Sequence, residues 1–340
     1  MIGSTLQINI KKRKAELLSF KKLLRRQDSN LRPLGYEPNE LPTAPLRDIV
    51  SLNGTAKIEH CFGNTKYLAN FFIFAPNGVH LILKLNPMAD SVVIIPTYNE
   101  KENIEQIINA VFSLDKEFHI LVIDDGSPDG TAAIVQHLMS GPFQGRLFLE
   151  ERKGKMGLGT AYIHGFKWSL QRTYDYIFEM DADFSHNPED LPRLDAACHD
   201  EGYDVAVGSR YATGVNVVNW PMGRVLMSFF ASKYVRLVTA LNVKDTTAGF
   251  VCYRRKVLET IDLDQIRFKG YAFQIEMKYS AKVLGFSIKE VSVIFVNRQL
   301  GTSKMNSSIF GEAFFGVINL RWRKELGQIK PRKQTKQLPS

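Results

Sequence analysis

Two aspartates, Asp181 and Asp183, directly follow the mainly apolar segment YDYIFEM. Side chains alternate along a strand, so residues two apart point to the same side and this spacing brings the two carboxylates together. Carboxylate oxygens suit Mg²⁺ or Mn²⁺, and two of them leave coordination positions for a substrate diphosphate. A solvated strand end carries similar residues, so the assignment depends on the surrounding segments. Asp181 and Asp183 are the candidate metal ligands, and His186 is predicted to be a loop residue rather than a ligand.

The segment PTYNE, residues 96–100, closes an earlier apolar run. Pro96 would stop the strand, because proline cannot donate to the ladder. The ring of Tyr98 can stack on a base, and the carboxylate of Glu100 can bind ribose hydroxyls. The alternative is a simple turn before a helix, with Asn99 as its cap.

Two acids end a further apolar run in DDGSPDGT, residues 124–131. A carboxylate at this point can accept hydrogen bonds from a base or a ribose. We therefore expect Asp124 or Asp125 to be functional. Asp129 and Thr131 are better explained as turn and helix-cap residues.

Groups that could bind phosphate occur in two forms. The loop KGKMGLGTA, residues 153–161, could present backbone amides and lysines to phosphates. It is not a Walker A loop, which would end in Gly-Lys-Ser or Gly-Lys-Thr, nor a dinucleotide-binding loop, because Tyr162 occupies the last glycine position. The second form is basic side chains after strands, namely Arg210, Arg298 and Lys304, although exposed basic residues are often only solvated.

From residue 91 onward, strand-like apolar runs alternate with amphipathic helical segments. Strands are predicted for SVVIIP, HILVIDDG, RLFLEE, YDYIFEMDAD, DVAVGSR and VSVIFV, with helices between the first five. Continuous Val and Ile runs separated by helices predict the α/β class, with a mainly parallel central sheet and helices on both faces. Ligands of such sheets bind beyond the carboxyl ends of the strands, where the polar segments lie.

The charge of the 340-residue chain is concentrated at its two ends. The net charge is +9, but residues 1–26 carry +7 and residues 321–340 carry +6, which leaves −4 for the stretch between them. Basic ends suit an anionic membrane surface or nucleic acid, although solvated tails explain them as simply. The acidic body argues against a broad nucleic-acid-binding face. The three cysteines lack the spacing of a zinc or redox motif, which predicts reduced thiols.

Three regions are predicted along the chain. Residues 1–87 form a basic and linker-like extension, and its stretch QDSNLRPLGYEPNELPTAPLRD is rich in Pro and Asn and resembles a translated tRNA gene. We therefore expect this extension to be poorly ordered or foreign to the native protein. Residues 88–320 form the folded domain, and residues 321–340 form a basic C-terminal tail.

An ordered set of motifs carries a family resemblance across residues 90–310: PTYNE, DDGSPDGT, KMGLGTAY, DADFSH, GSRY, DTTAGF, GYAFQIEM and VNRQLGTSK. The set resembles that of the polyprenol-phosphate mannosyltransferases, including the dolichyl-phosphate enzymes, of glycosyltransferase family 2 with its GT-A (Rossmann-like) nucleotide-sugar transferase fold. The resemblance implies GDP-mannose as donor, a polyprenyl (dolichyl-type) phosphate as acceptor, and inversion at the sugar. The processive signature Q-x-x-R-W is replaced by FQIEM, which favours a single transfer.

The resemblance also implies roles for individual positions. The nucleotide pocket would be lined by Pro96, Tyr98, Glu100 and Asp124. The metal and the diphosphate would be met by Asp181, Ala182 and Asp183, and the donor or acceptor phosphates by Arg210, Arg298 and Lys304. Asp183 and Arg210 would be the catalytic residues. Ser185 stands where some members carry a glutamine ligand, which predicts looser or water-assisted metal binding.

Two segments, 223–242 and 307–324, combine apolar, aromatic and basic residues and could lie in a membrane interface. Ordinary buried helices are the alternative. No transmembrane helix is predicted, because the longest uncharged run near the start, 67–83, is short and contains proline and glycine. We expect peripheral attachment to the cytoplasmic face of a membrane, directly or through a membrane-anchoring partner subunit.

The prediction from sequence is thus an enzyme that transfers mannose from GDP-mannose to a polyprenyl phosphate, with Mg²⁺ or Mn²⁺ and without nucleic acid. The nearest alternative is a family-2 transferase that uses UDP-glucose or another acceptor. A nucleic-acid-binding protein with basic arms and a non-catalytic partner subunit of a transferase are more distant alternatives. The intact pair Asp181 and Asp183 argues against the last of these.

Overall fold

The computed structural model describes residues 49–52, 56–62, 69–74, 80–84, 89–270, 272–297 and 308–332. The chain divides into two compact units, Met1–Pro87 and Met88–Ser340. The division falls between an antiparallel sheet that ends at Lys84 and the alternating strands and helices that begin at Ser91.

The described part of the first unit is a four-stranded antiparallel sheet in which each strand pairs with the next along the chain. Its strands are β1 (Ile49–Leu52), β2 (Ala56–Phe62), β3 (Ala69–Phe74) and β4 (His80–Lys84). No element was predicted here from the sequence. A signal for the last hairpin was nevertheless present, because Asn77-Gly78 between two apolar runs is typical of a tight turn.

The second unit alternates strands and helices. Its strands are β5 (Ser91–Thr97), β6 (His119–Asp124), β7 (Leu147–Glu151), β8 (Tyr176–Glu179), β9 (Val205–Ser209), β10 (Val217–Val218), β11 (Val251–Arg254), β12 (Ile288–Ser292) and β13 (Phe295–Val296). Its helices are α1 (Ile104–Phe112), α2 (Thr131–Ser140), α3 (Leu158–Leu170), α4 (Leu191–His199), α5 (Met222–Thr239), α6 (Arg255–Thr260), α7 (Ala272–Val283) and α8 (Ser308–Glu325).

Seven strands form the central sheet in the order β12-β9-β11-β8-β5-β6-β7. Pairing is parallel between all neighbours except β11, which runs antiparallel to both β8 and β9. The predicted α/β class with a mainly parallel central sheet is confirmed. The reversal of β11 places the start of this strand at the edge where its neighbours end, which matters for the site described below.

Alternate residues of the central strands are buried on opposite faces of the sheet. On β5, Val93 and Ile95 pack into one apolar cluster with helices α1, α2 and α4, whereas Val92 and Ile94 pack into another with α3, α6 and α7. All four side chains are fully buried. Two covered faces explain why these strands read as continuous apolar runs rather than as an alternating pattern.

One predicted strand, VSVIFV, is divided between two sheets. Strand β12 ends at Ser292 within the central sheet, and β13 pairs with β10 in a separate two-stranded parallel sheet. The chain leaves the central sheet between them, where the side chain of Ile294 is 60% exposed. The prediction of a single strand was wrong because local residue types do not show which partner a strand will pair with.

Helices α5, α7 and α8 meet in a third, smaller apolar cluster that includes Val235, Tyr279 and Leu320. Helix α8 continues past residue 320, the predicted domain boundary, and its Arg323 forms a buried ion pair with Glu276 of α7. Packing of the folded unit thus extends into the segment predicted as a tail. Among the described helices, none is long and apolar enough to span a membrane.

Candidate active site

A cavity of about 640 Å³ lies at the edge of the central sheet where β5, β8 and β9 end. Its wall contains Tyr98 and Arg210, which directly follow β5 and β9, and Asp181, which lies two residues after the end of β8 at Glu179. Strands that run the same way bring their carboxyl ends to one edge, so segments far apart in sequence meet there.

The aspartate pair lies in the cavity wall and is fixed by protein donors. The hydroxyl of Tyr162 donates to Oδ1 of Asp181 over 3.3 Å, and the backbone N–H of Asp181 donates to Nδ1 of His186 over 3.2 Å. Oδ1 of Asp183 accepts the backbone N–H of Ser185 over 3.0 Å. These contacts fix the positions of both carboxylates before any ligand binds.

The donor set at this pair fits a hard divalent cation. Asp181 and Asp183 supply carboxylate oxygens to one cavity, which is the chemistry that Mg²⁺ and Mn²⁺ prefer. No group of three or more His, Cys, Asp or Glu side chains that could hold a metal occurs in the described part of the chain. A cation bound by the two aspartates would therefore take its other ligands from substrate or water. Burial and the carboxylate of Asp181 raise the pKa of Tyr162 well above its ordinary value, so the phenol remains a donor.

His186 lies in the loop after β8, as predicted, but it is buried and lines the cavity. Its ring stacks on Phe250 at a centroid distance of 4.9 Å and meets the ring of Phe295 edge-on at 5.4 Å. Burial lowers the pKa of His186 to about 4, although the carboxylate of Asp183 opposes the shift. The imidazole is therefore neutral near pH 7.

Arg210, predicted to meet phosphate, is buried in the cavity wall against an acid that was not singled out from the sequence. Its Nε and Nη2 donate to the two carboxylate oxygens of Asp245 over 2.7 and 2.6 Å, and Nη2 also donates to Thr247. Burial lowers the pKa of Arg210, but Asp245 more than offsets this and the net shift is upward. None of these hydrogen bonds uses Nη1, so that nitrogen can serve a ligand in the cavity.

A second arginine in the cavity wall, Arg224, was also missed. Its guanidinium lies 4.0 Å from the ring of Trp220, and Nη1 donates to Oδ1 of Asn297 over 2.9 Å. The guanidinium of Arg210 lies 5.4 Å from the same indole. One aromatic ring thus holds two cations beside one cavity, an arrangement that favours an anionic ligand. Its only local signal was a tryptophan two residues before the helix with an arginine in the first turn.

The predicted nucleotide residues Pro96, Tyr98 and Glu100 all line the cavity, as does Ala182. Glu100 is buried, and its Oε2 accepts a hydrogen bond from Nδ2 of Asn103 over 3.1 Å. These residues form the end of the cavity that faces β5, next to the aspartate pair in the loop after β8.

Asp124 does not reach the cavity, whereas its neighbour Asp125 does. The carboxylate of Asp124 is fully buried and accepts hydrogen bonds from Thr97 and from the backbone and hydroxyl of Ser127. Asp125 pairs with Arg152 and accepts the backbone N–H of Met156. The first acid of the pair is still part of β6, so its side chain points into the protein between neighbouring segments.

Asp129 lies in the turn as predicted, but Thr131 is not a helix cap, because it is the first residue of α2 and Gly130 is the N-cap. Asp129 accepts hydrogen bonds from the backbone and hydroxyl of Thr131 and from the backbone of Lys101, which is a structural role. Asn99 is not a helix cap, because α1 begins at Ile104, five residues later. Asn99 instead adopts a left-handed backbone with φ of 56°, a conformation that asparagine tolerates better than most residues.

Part of the glycine-rich loop lines the cavity, and some of its backbone amides are bound by protein acceptors. The backbone N–H of Gly159 donates to the carbonyl of Lys269 over 2.8 Å, and that of Met156 is bound by Asp125. Lys155 and Gly157 line the cavity. These two amides are therefore bound by protein acceptors, whereas phosphate contacts of the other loop amides and of Lys155 stay a prediction. Arg298 and Lys304 lie outside the described residues.

The family model for glycosyl transferase family 2 matches residues 92–262, half of the chain. The chain belongs to glycosyltransferase family 2. The matched region begins in β5 and ends just after α6, so it includes the strands that carry Tyr98, Asp181, Asp183 and Arg210. This glycosyltransferase therefore has its cavity where the family's domain brings the strand ends together.

Two relatives are similar over most of their length. The polyprenol monophosphomannose synthase of Mycolicibacterium smegmatis is 47% identical over 247 residues, which are 72% of this chain and 92% of the relative. The undecaprenyl-phosphate mannosyltransferase of Micrococcus luteus is 44% identical over 232 residues, 68% of this chain and 93% of the relative.

Among solved structures, the glucosyl-3-phosphoglycerate synthase of Mycobacterium tuberculosis with Mn²⁺ and UDP matches at 19% identity and a TM-score of 0.49, covering 69% of this chain and 79% of its own. A mannosyltransferase of Pyrobaculum calidifontis with GDP-mannose and Mn²⁺ matches at 17% identity and a TM-score of 0.46, covering 70% and 64%. At this level of likeness neither structure adds to the assignment of fold or function.

Proposed function

We propose that this glycosyltransferase transfers mannose from GDP-mannose to a polyprenyl phosphate, forming polyprenyl phosphate mannose with inversion. The observation that carries the proposal is a single cavity with an aspartate pair, Asp181 and Asp183, at one side and two arginines, Arg210 and Arg224, at another. Such a cavity can hold two anionic groups close together. The names of the two relatives, both at least 44% identical, support mannose as the sugar and a polyprenyl phosphate as the acceptor.

The nucleoside would bind at the β5 end of the cavity. The ring of Tyr98 would stack on the base, Pro96 would pack beside it, and Glu100 would accept hydrogen bonds from ribose hydroxyls. Asp124 would act indirectly, because it fixes Thr97 and Ser127 behind this wall.

Asp181 and Asp183 would hold Mg²⁺ or Mn²⁺ with the donor diphosphate. The bound cation would neutralise negative charge on the departing GDP. Tyr162 keeps the Asp181 carboxylate in place, and the backbone of Ser185 does the same for Asp183. Both hydrogen-bond donors are neutral, so they hold the carboxylate oxygens of Asp181 and Asp183 in place without adding charge.

Arg210 and Arg224 would bind the acceptor phosphate and direct it at the sugar from the side opposite GDP. Because a phosphate is already ionised near pH 7, it needs no general base, which agrees with a neutral His186 as the one histidine in the cavity wall. Arg210 is held by Asp245, so it does not need to reorganise when the phosphate arrives. Arg298 and Lys304 are proposed to add positive charge at the same end.

Helices α5 and α8 would rest on the cytoplasmic face of a membrane. Leu237 on α5 is 85% exposed, and Phe315 and Trp322 on α8 are 72% and 66% exposed. The two helices pack together, with the Tyr234 hydroxyl bound to the carbonyl of Phe314. Several large apolar side chains on adjacent helices are typical of an interfacial contact. A polyprenyl chain could then stay in the bilayer while its phosphate enters the cavity.

Replacing both Leu237 and Trp322 by glutamate should weaken binding to anionic lipid vesicles at least tenfold in a sedimentation assay, because two charges would enter the apolar contact. Transfer to a short, water-soluble prenyl phosphate should change little. Tyr203→Glu, at the opposite edge of the sheet, is the control. Vesicle binding equal to that of the wild type would contradict the proposed membrane surface.

The donor and acceptor are tested by incubating the protein with polyprenyl phosphate, Mn²⁺ and each of several radiolabelled nucleotide sugars. We expect label in the lipid phase from GDP-mannose and at least tenfold less from UDP-glucose. Transfer from UDP-glucose alone would overturn the proposed donor. Transfer from GDP-mannose that does not require the polyprenyl phosphate would overturn the proposed acceptor.

A further inference from the structure

The floor of the cavity contains a glycine whose missing side chain leaves a space between two polar side chains. A Cβ atom at Gly249 would lie 3.6 Å from Nε2 of Gln274 and 3.9 Å from Cε1 of His186, with no other contact within 4 Å beyond its chain neighbours. All three residues line the cavity. We call this space the Gly249 notch.

Gln274 presents a fixed amide to the notch. Nζ of Lys278, which is fully buried, donates to Oε1 of Gln274 over 3.4 Å and to the carbonyl of Ala248 over 2.6 Å. This orients the amide, and a hydrogen bond from Nε2 to the buried Glu179 carboxyl uses only one of its two N–H groups, although Gln274 is only 1% exposed. The second N–H has no acceptor among the described residues, and a buried donor without an acceptor is costly, so a ligand that supplies an oxygen here gains affinity.

The amide also lies near the buried carboxyl of Glu179. Burial raises the pKa of Glu179 to about 8, and Lys278 and Gln274 act in the opposite direction. Gln274 thus stands between the buried side chains of Glu179 and Lys278 and the open notch. Lys278 holds the amide of Gln274 through Oε1, so only the side of the amide that lines the cavity can contact a ligand.

His186 presents a second neutral donor. Because its Nδ1 accepts the backbone N–H of Asp181, the ring proton is on Nε2. The stack on Phe250 fixes the plane of the ring. No described residue accepts a hydrogen bond from Nε2. Gln274 and His186 are therefore two neutral donors that border the Gly249 notch. Lys278 fixes the first and the backbone of Asp181 fixes the second.

The notch also lies at the right place along the sheet edge. In the order of the strands, the nucleoside end on β5 comes first, the aspartate pair after β8 follows, then the start of the reversed strand β11 after Gly249, and finally Arg210 after β9. A transferred group must lie between the diphosphate that leaves and the phosphate that attacks. The notch occupies that interval.

We propose that the Gly249 notch is the subsite of the transferred hexose, with Gln274 and His186 donating hydrogen bonds to its hydroxyl oxygens. Neutral donors suit the hydroxyl groups of the sugar, whereas the metal and the two arginines would bind the phosphates. The subsite rests on the proposed function, since it assumes a nucleotide sugar in this cavity. Lys278 is a positioning residue that acts through Gln274. A site with fixed donors discriminates strongly against a sugar that lacks the matching oxygen.

The first test is Gly249→Ala, which fills the notch with a methyl group. The new contacts of 3.6 and 3.9 Å are ordinary, and Gly249 does not have a left-handed backbone, so the variant should fold normally. With Mn²⁺ present, the Kd for GDP should stay within twofold of the wild-type value, whereas kcat/KM for GDP-mannose should fall at least tenfold. Gly223→Ala, outside the cavity wall and with open space at its Cβ position, is the matched control.

The second test separates the two nitrogens of His186. Asparagine at 186 keeps an acceptor near the position of Nδ1 but removes the outer donor, and glutamine keeps a donor near Nε2. We expect His186→Asn to lose at least tenfold more kcat/KM for GDP-mannose than His186→Gln. We expect the wild type to have at least tenfold lower kcat/KM for one of the GDP-deoxymannoses than for GDP-mannose. Gln274→Met should remove this discrimination.

Three results would overturn the subsite. Gly249→Ala could transfer mannose as the wild type does, it could lose GDP affinity to the same extent as transfer, or Gln274→Met could keep the full discrimination against every deoxy donor. A wild-type enzyme that uses another nucleotide sugar would overturn the proposed donor only. The same comparisons made with that sugar would then decide on the notch.

Discussion

Asp183→Asn is expected to lower the rate of mannose transfer by about 1,000-fold, because it removes a charge that helps hold the cation and diphosphate as negative charge develops on GDP. The fold should persist, since the asparagine Oδ1 can still accept the backbone N–H of Ser185, as Asp183 does over 3.0 Å. The measurements are single-turnover transfer of labelled mannose and thermal unfolding of the same preparation.

An exposed acid provides the control for this change. The exposed carboxylate of Asp200 contacts the neighbouring His199 and lies outside the cavity wall, so Asp200→Asn should leave transfer within twofold. Mn²⁺ binding in the presence of GDP should weaken in Asp183→Asn and not in the control. Transfer by Asp183→Asn at more than a tenth of the wild-type rate would contradict the proposed role of the pair.

Asp245→Ala is expected to reduce both stability and transfer, because it leaves the buried guanidinium of Arg210 without its partner. Asp245 is fully buried, and burial raises its pKa, but Arg210 more than offsets this and the pKa lies below the ordinary value. Breaking such a pair should lower the free energy of unfolding by about 3–5 kcal/mol. A displaced Arg210 should lower the rate of transfer by about 100-fold.

A double variant separates these two effects. Arg210→Met combined with Asp245→Leu removes both charges and fills a similar volume, so denaturant unfolding should show that most of the lost stability returns. Transfer should stay at or below the level of Asp245→Ala, because no guanidinium remains for the acceptor phosphate. If the double variant regained activity together with stability, Arg210 would have only a structural role.

The position of Arg210 illustrates how the fold assembles this site. Strand β9 delivers the residue to the sheet edge, and the segment before β11 supplies Asp245 and Thr247 to hold it. The same segment continues into Gly249 at the cavity floor. One short stretch thus fixes the proposed acceptor arginine and forms the proposed sugar subsite, so a change in its path would affect both.

The local residue pattern was sufficient to predict the strands and the functional residues at their ends. The apolar runs before Tyr98, Asp181 and Arg210 marked buried strands, and the residues that follow line one cavity as the strand-end rule predicts. Pairing between distant segments was beyond the same reasoning. The division of VSVIFV between two sheets is the clearest case, since each half pairs with a different partner.

The sequence also could not show which of several residues of the same type would line the cavity. Asp124 and Asp125 differ by one position, and only the end of β6 decides that the first is buried while the second faces the cavity. Arg224 was one of three basic residues in its helix, and Asp245 lay in a motif without an assigned charge role. Their roles follow from contacts with residues that are distant in sequence, Asn297 for Arg224 and Arg210 for Asp245.

The sequence alone determined the α/β class, the succession of strands from β5 to β9, and the positions of the aspartate pair and of Arg210. These predictions follow from the spacing of apolar residues and from the types of polar residue at strand ends, which are properties of neighbouring residues. Only the tertiary structure decided that β11 is reversed, that Asp245 neutralises Arg210, and that Gln274 and His186 border one notch. These depend on how segments far apart in the chain pair and pack, and the free energy of such contacts is not encoded in any local stretch.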